Sequence, residues 1–217
     1  MKNFYIFFSV LILLVSLAVL NLKGYFSIRY FLVPGRQDVE DFLNYKYSGK
    51  ISFVYLEKEL LDSNVKKEFS DIDRLVLKRN FNLTVLVSLV EKRPFAKSTR
   101  DNIYVSEDGH VFFSSKDFQD KLPIFMYPGD LNSKVLSNDE ISFIKGIKGY
   151  SDFEIDTSIS QDIGLRSEEG ILIKVKREGV NFLNMQKPLN KILDEINSGK
   201  KPKGEIIVLN GKIVLGR

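Results

Sequence analysis

An uncharged, mostly apolar run from Phe4 to Leu22 is the sequence feature that most constrains the fold of this chain. As an α-helix it would be roughly 28 Å long at ~1.5 Å per residue, close to the ~30 Å hydrocarbon core of a bilayer. A helix that is apolar on every side is buried in lipid or in a large core. The run therefore predicts a transmembrane signal anchor, and a cleaved signal peptide is the alternative because Ser16 and Ala18 form a small-x-small pair.

The charges that flank this run leave its orientation open. Lys2 precedes the run, whereas Lys23 and Arg29 follow it. Because a tail of residues 1–3 is followed by a long body, we expect the N-terminus to be cytoplasmic and the body extracytoplasmic. The sequence thus predicts a single-pass protein of the cell inner membrane, with an anchor over residues 4–22.

Composition excludes several kinds of catalytic and metal site. The chain has no cysteine and one histidine, so disulfides, thiolate zinc sites and a cysteine nucleophile are ruled out. No G-x-S-x-G motif accompanies His110, which we expect to be a surface turn residue. The acidic pairs Asp71/Asp73 and Asp139/Glu140 fall in turns and helix starts, where carboxylates favour the helix dipole. We expect no catalytic residue, metal or cofactor; a membrane-anchored hydrolase is the enzymatic alternative.

Residues 24–93 form the first predicted domain after the anchor. Apolar and turn residues predict a strand over residues 25–33, a short helix capped by Asp38 and a helix over about residues 56–68. Two strands follow, the second ending before Pro94, which cannot donate to a sheet ladder. The order is strand, helix, helix, strand, strand.

Residues 94–217 form the second predicted domain. Asp108-Gly109 and Asn210-Gly211 predict hairpin turns, since glycine accepts positive φ. Ser137 predicts a helix start, and Pro188 predicts the first turn of another helix. The fold class is therefore α+β: a small βααββ domain and then a mostly antiparallel sheet with helices packed on it. The net charge of +4 is spread along the chain and gives little support to nucleic-acid binding.

The last two predicted strands, residues 205–209 and 212–215, end the chain, so one of them is a candidate sheet edge. An unpaired edge displays N–H and C=O groups to which a partner's extended segment adds as a further strand. The alternative is that both strands are buried and have no partner.

Four short segments carry a resemblance to a known family. Val90-Glu91-Lys92-Arg93-Pro94-Phe95-Ala96 is similar to V-E-x-x-P-h-A, and Val105-Ser106-Glu107-Asp108-Gly109-His110-Val111-Phe112 to V-D-x-x-G-x-V-F. Leu122-Pro123 with Gly129 is similar to L-P-x-h-x-G, and residues 205–211 to a final I-D-L-R strand pair, with Ile207 and Leu209 in place of its Asp and Arg. In this order the segments resemble the FtsQ/DivIB family of bacterial cell division proteins.

The resemblance implies a transmembrane helix, a POTRA-type domain and a β-domain. It implies a non-enzymatic, membrane-anchored scaffold at the division septum, without small-molecule substrate. Its last strands would bind an extended segment of small coiled-coil proteins of the FtsB/DivIC type in complex with FtsL, with apolar contacts from Ile206, Val208 and Ile213. A POTRA-bearing component of another envelope system, such as secretion or transport, is the alternative. The implied partner-binding residues are Glu205, Ile206, Ile207, Val208, Leu209, Lys212, Ile213 and Val214.

Overall fold

The chain divides into two compact units, Met1–Glu91 and Lys92–Arg217. The computed structural model describes residues 2–22, 25–80, 82–116, 118, 120–126, 129–159, 161–178 and 181–216. Met1 and Gly24, which begin the predicted tail and the predicted first domain, lie outside the described residues. The observed boundary follows Glu91, whereas the sequence placed it after residue 93.

The first helix, α1, covers Lys2–Leu22. No helix in the described part of the chain is both long enough and apolar enough to cross a membrane. The predicted transmembrane anchor over residues 4–22 is therefore wrong, and so is the predicted single-pass location in the inner membrane.

The rest of the first unit follows the order strand, helix, helix, strand, strand. The elements are β1 Tyr30–Leu32, α2 Gln37–Tyr47, α3 Lys58–Glu68, β2 Ile72–Arg79 and β3 Thr84–Glu91. The sheet has the order β1-β3-β2, with β1 parallel and β2 antiparallel to β3. The buried faces of both helices pack with the sheet in one core. Helix α2 begins after Arg36, so Asp38 lies in its first turn and is not its cap.

The second unit is built on nine strands and two α-helices. The elements are β4 Pro94–Ser98, β5 Ile103–Ser106, β6 Val111–Phe113, β7 Ile124–Phe125, α4 Asn138–Lys145, β8 Phe153–Asp156, β9 Asp162–Ser167, β10 Leu172–Lys176, α5 Phe182–Asn197, β11 Glu205–Leu209 and β12 Lys212–Leu215 among the described residues. The strands form one sheet of order β12-β11-β10-β9-β8-β7-β4-β5-β6. Five of its eight neighbouring pairs are antiparallel. The sheet is mixed because the pairs β4/β7, β7/β8 and β10/β11 are parallel.

Two prolines behave differently from the prediction. Pro94 is the first residue of β4, a position where a missing N–H donor is tolerated. Pro188 lies inside α5, which begins at Phe182, so the predicted helix start there is wrong. The earlier start is explained by Met185, which is buried and continues the apolar face of Leu189 one turn toward the N-terminus.

One face of the larger sheet is covered by α4 and α5. Ser137 caps α4 with a capping box in which its hydroxyl accepts from the Glu140 N–H. The parallel strands β10 and β11 are joined across this face by α5, as parallel pairs require. Alternate residues of the strands, such as Ile173 and Ile206, enter the core with the helices, and the residues between them lie on the opposite face.

Candidate functional site

The last hairpin lies at one end of the nine-stranded sheet. The inner strand β11 pairs with β10 on one side and with β12 on the other. The outer strand β12 pairs with β11 alone among the described residues. Since an end strand displays unpaired main-chain groups, the candidate edge is Lys212–Leu215, while Glu205–Leu209 lies one strand inside it.

The turn that joins these strands has the conformation that its sequence indicates. Asn210 and Gly211 have φ values of 49° and 70°. Leu209 and Lys212 face each other directly across this two-residue loop. Positive φ at both central residues suits the right-handed twist of a hairpin, so the turn fixes the register of β12.

The register decides which main-chain groups of β12 point outward. The Gly216 N–H donates to the Glu205 carbonyl at 2.7 Å, and hydrogen-bonded pairs alternate along an antiparallel ladder. Lys212 and Val214 therefore turn their N–H and C=O groups toward β11. The N–H and C=O groups of Ile213 and Leu215 point away from the sheet, where an added strand would meet them.

The side chains on β12 divide between the two faces of the sheet. Val214 is 51% exposed on the face opposite the helices, and Leu215 is 43% exposed on the helix side. Ile213 is half-buried and packs against the core. Of the predicted apolar contact residues, Ile206 and Val208 are at most 1% exposed inside the core. The structure thus places Ile213 on the edge strand, whereas Ile206 and Val208 lie buried on β11, one strand inside the edge.

The opposite end of the same sheet is covered. The N–H and C=O groups of Val111 in β6 point outward, and the Val111 N–H donates to the Ser133 carbonyl at 2.9 Å. The Asn132 N–H donates to the Val111 carbonyl, also at 2.9 Å. In the turn before β6, the Gly109 carbonyl accepts from the Val135 N–H at 2.8 Å. The segment of residues 132–135 therefore occupies the positions that a further strand would take.

The edge of β1 in the first unit is covered by side chains of α2. The Asn44 amide accepts from the Phe31 N–H at 2.7 Å and donates to the Phe31 carbonyl at 2.8 Å. The Glu40 carboxylate accepts from the Val33 N–H at 2.7 Å and from the Tyr30 hydroxyl. These two bonds hold the pKa of Glu40 below its ordinary value of 4.5, and the bond from the Tyr30 hydroxyl has the larger effect.

Sequence reasoning missed both covers. The available signal for the side-chain cover was a pair of polar residues, Glu40 and Asn44, one turn apart and next to the apolar Leu43. The segment of residues 132–135 carries no comparable signal, because it meets β6 through main-chain atoms that any residue supplies.

A groove of about 150 Å³ lies on the face of the larger sheet opposite the helices. Gly164 lines the groove and has no side chain to fill it, and Met126 and Leu172 contribute apolar lining. Asp162 is one of the lining residues, and its carboxylate pairs at 2.7 Å with Lys176, which is not among them. The groove contains carboxylates and one hydroxyl, and the chain's single histidine is not among its lining residues.

The residues considered for catalysis are not brought together. His110 Nδ1 lies 3.1 Å from Asp108 in the β5–β6 turn. Asp71 is bound by Arg36 at 2.7 Å in the first unit, whereas Glu140 serves the α4 cap and pairs with Arg177 at 3.2 Å. Asp73 lies in β2 and Asp139 in the first turn of α4. Within the described residues, no group of three or more His, Asp or Glu side chains is placed to hold a metal ion.

Comparison with known proteins does not assign the chain to a family. No protein-family model matches the chain, and no curated protein matches it.

Proposed function

We propose that this protein is a non-enzymatic scaffold of the bacterial cell division machinery, of the FtsQ/DivIB type, and that it binds an extended segment of a partner at β12. The supporting observation is the difference between the two ends of the larger sheet. The end at β6 is occupied by the chain's own residues 132–135, while β12 has no neighbour beyond it among the described residues. The partners are small coiled-coil proteins of the FtsB/DivIC type together with FtsL.

Binding is a strand addition. The partner's main chain bonds to the outward N–H and C=O groups of Ile213 and Leu215, each bond contributing ~1 kcal/mol net. Its alternate side chains lie beside Val214 on one face and beside Leu215 on the other, both of which are exposed and apolar. Burial of that apolar surface adds roughly 25 cal/mol per Å².

The inner strand β11 supports the site without touching the partner. Ile206 and Val208 anchor it in the core, and its ladder to β12 holds the edge in register. Glu205 is paired with Lys174 at 2.5 Å across to β10. Removal of residues 204–217 would therefore uncover the core of β10 as well as delete the edge, so a single substitution in β12 is the sharper test.

The test is Leu215→Pro in the full chain, with capture of an FtsB/DivIC-type protein co-expressed with its FtsL-type companion as the readout. Proline removes the Leu215 N–H, which points outward, and leaves the bonds to β11 in place. We expect capture to fall at least tenfold while the midpoint of urea unfolding stays nearly unchanged.

Leu215→Ala is the matched control, because alanine keeps the N–H donor and shortens only the side chain. We expect it to lower capture by less than the proline variant does. Undiminished capture by Leu215→Pro, or equal losses in the two variants, would contradict binding through the main chain. Capture of a secretion or transport protein in place of the division proteins would assign the same edge to another envelope system.

A further inference from the structure

The hairpin between β11 and β12 turns at Asn210-Gly211, the single Asn-Gly pair of the chain. Asparagine is a thermolabile residue, because the main-chain nitrogen of the next residue attacks its side-chain amide carbon and closes a succinimide ring. A following glycine favours this attack, because glycine has no Cβ to hinder its nitrogen. The sequence of this turn is therefore the one in the chain that is chemically most susceptible to deamidation.

The surroundings of this turn do not protect it. Asn210 and Gly211 are both exposed, and a Cβ added at Gly211 would meet nothing within 4 Å. Neither the Asn210 amide nor the Gly211 N–H has a hydrogen-bond partner in the described part of the chain. Ring closure requires rotation about the Asn210 Cα–C bond, so the turn must open first. With so few contacts to break, that local opening costs little free energy.

The turn at Asp108-Gly109 shows the protected arrangement. The Gly109 N–H, which is the corresponding nucleophile, donates to the Ser106 carbonyl at 2.9 Å. The Asp108 carboxylate accepts from the Ser106 hydroxyl and lies 3.1 Å from His110 Nδ1. A Cβ added at Gly109 would lie 1.8 Å from the Leu136 carbonyl oxygen, so the main chain packs directly against this turn. Opening this turn would break contacts that the turn at Asn210 does not have.

Two Asn-Ser pairs provide a second comparison, because serine is the smallest residue that follows any other asparagine in the chain. In Asn132-Ser133 and in Asn197-Ser198 the serine N–H donates at 3.0 Å, to the carbonyls of Asp130 and Asp194 respectively. The attacking nitrogen is therefore engaged at both sites. Asn210-Gly211 combines the smallest following residue with a main-chain nitrogen that has no such bond.

We propose that Asn210 is a site of spontaneous deamidation, and that its isoaspartate product shifts the edge strand β12. The Gly211 nitrogen gives its proton to solvent base and bonds to Asn210 Cγ, and the Cγ–Nδ2 bond breaks with release of ammonia. Water then adds to one of the two carbonyl carbons of the succinimide and breaks the bond of that carbon to the ring nitrogen. Cleavage at Cγ gives aspartate, and cleavage at the main-chain carbon gives isoaspartate.

The two products differ in their effect on the hairpin. Aspartate keeps the length of the main chain, and Asp-Gly favours the same turn type. In isoaspartate the main chain runs through Cβ and Cγ and is one atom longer, so the turn no longer fits between Leu209 and Lys212. The outward direction of the Ile213 and Leu215 main-chain groups depends on that register. The resulting loss of partner binding rests on the proposed function, whereas the deamidation and the change in the hairpin do not.

The first test follows deamidation of the folded full chain in warm, mildly alkaline buffer by peptide mapping, with enzymatic methylation to identify isoaspartate. We expect the peptide that contains Asn210 to be converted at least tenfold faster than those that contain Asn132 or Asn197. In the separated isoaspartate form, amide hydrogen exchange should be faster at Leu209 and Val214 than in the fresh chain. Comparable rates at the three asparagines, conversion of Asn210 only after unfolding in urea, or unchanged exchange would overturn the proposal.

Asn210→Gly is the matched control, because Gly-Gly supports the same turn and carries no side-chain amide. We expect the isoaspartate form of the parent to capture an FtsB/DivIC-type protein with its FtsL-type companion at least tenfold less than the fresh parent. Asn210→Gly should keep its capture after the same treatment.

The two proposals fail in different ways. An isoaspartate form that captures the partner as well as the fresh parent does would overturn the effect of deamidation on β12. If the fresh parent and fresh Asn210→Gly both failed to capture it, the proposed function would be contradicted. Faster hydrogen exchange at Leu209 in the isoaspartate form would still support the change in the hairpin.

Discussion

Both ends of the nine-stranded sheet are formed by hairpins, but the end at β6 is covered and the end at β12 is open among the described residues. At β6, residues 132–135 return to the edge and satisfy both main-chain groups of Val111. At β12, the corresponding groups of Ile213 have no such cover in the part of the chain that the structure describes. Because open edges invite unwanted pairing, proteins generally cover or charge them. Under the proposed function, β12 is the end of this sheet where the partner binds.

The largest effect is expected where the cover of β6 meets Gly109. This residue has a φ of +85°, and an added Cβ would lie 1.8 Å from the Leu136 carbonyl oxygen. Gly109→Ala should therefore push residues 132–136 off the edge and destabilise the second unit by ~2–4 kcal/mol, measured by urea unfolding.

Gly170→Ala is the control for that substitution. Gly170 has a φ of +87°, but nothing lies within 4 Å of an added Cβ. The substitution should therefore lower the unfolding free energy only by the backbone strain of ~1 kcal/mol. Equal destabilisation by the two variants would show that the cover of β6 contributes nothing.

The side-chain cover of β1 gives the next effect. Asn44→Ala leaves both outward groups of Phe31 without their partner and should cost ~1–3 kcal/mol in unfolding free energy. Asn64→Ala is the comparison, because the Asn64 amide donates to the Leu60 carbonyl of its own helix on an exposed surface. We expect that variant to stay within about 0.5 kcal/mol of the parent. An Asn44→Ala protein as stable as Asn64→Ala would contradict the cover.

A smaller effect is expected in acid. The pKa of Glu40 is lowered in the folded chain by the bonds from the Tyr30 hydroxyl and the Val33 N–H. Its contribution to stability is therefore present above the ordinary pKa of 4.5 and is lost as the pH falls through the lower folded value.

The measurement is the urea midpoint of the parent and of Glu40→Gln between neutral pH and strong acid. The parent should lose stability below about pH 4.5 more steeply than the variant does. Parallel pH profiles would show that the carboxylate at the β1 edge carries no charge-dependent stability.

The smallest effect on stability is expected at the open edge itself. Leu215→Pro removes an outward donor that has no partner in the described residues, so unfolding should change by less than about 1 kcal/mol. Val214→Pro removes a donor that faces β11 and should cost more. If the two substitutions were equally destabilising, the assignment of inward and outward groups on β12 would be wrong.

Much of the local structure followed from the sequence. The turn at Asn210-Gly211, the cap at Ser137 and the element order of the first unit depend on near neighbours in the chain. The start of α5 was misplaced, because Pro188 was given more weight than the apolar face that continues to Met185. The prediction of a membrane-spanning segment over residues 4–22 was also wrong.

Of the candidate site, the sequence determined that two apolar strands joined by a tight turn end the chain, because alternation and turn chemistry are local. It could not decide which strand is outermost. That depends on β10, which pairs in parallel with β11 across α5, and no local pattern encodes such a pairing. The covers of β1 and β6 were likewise decided by the tertiary structure, since they join segments brought together by the packed core.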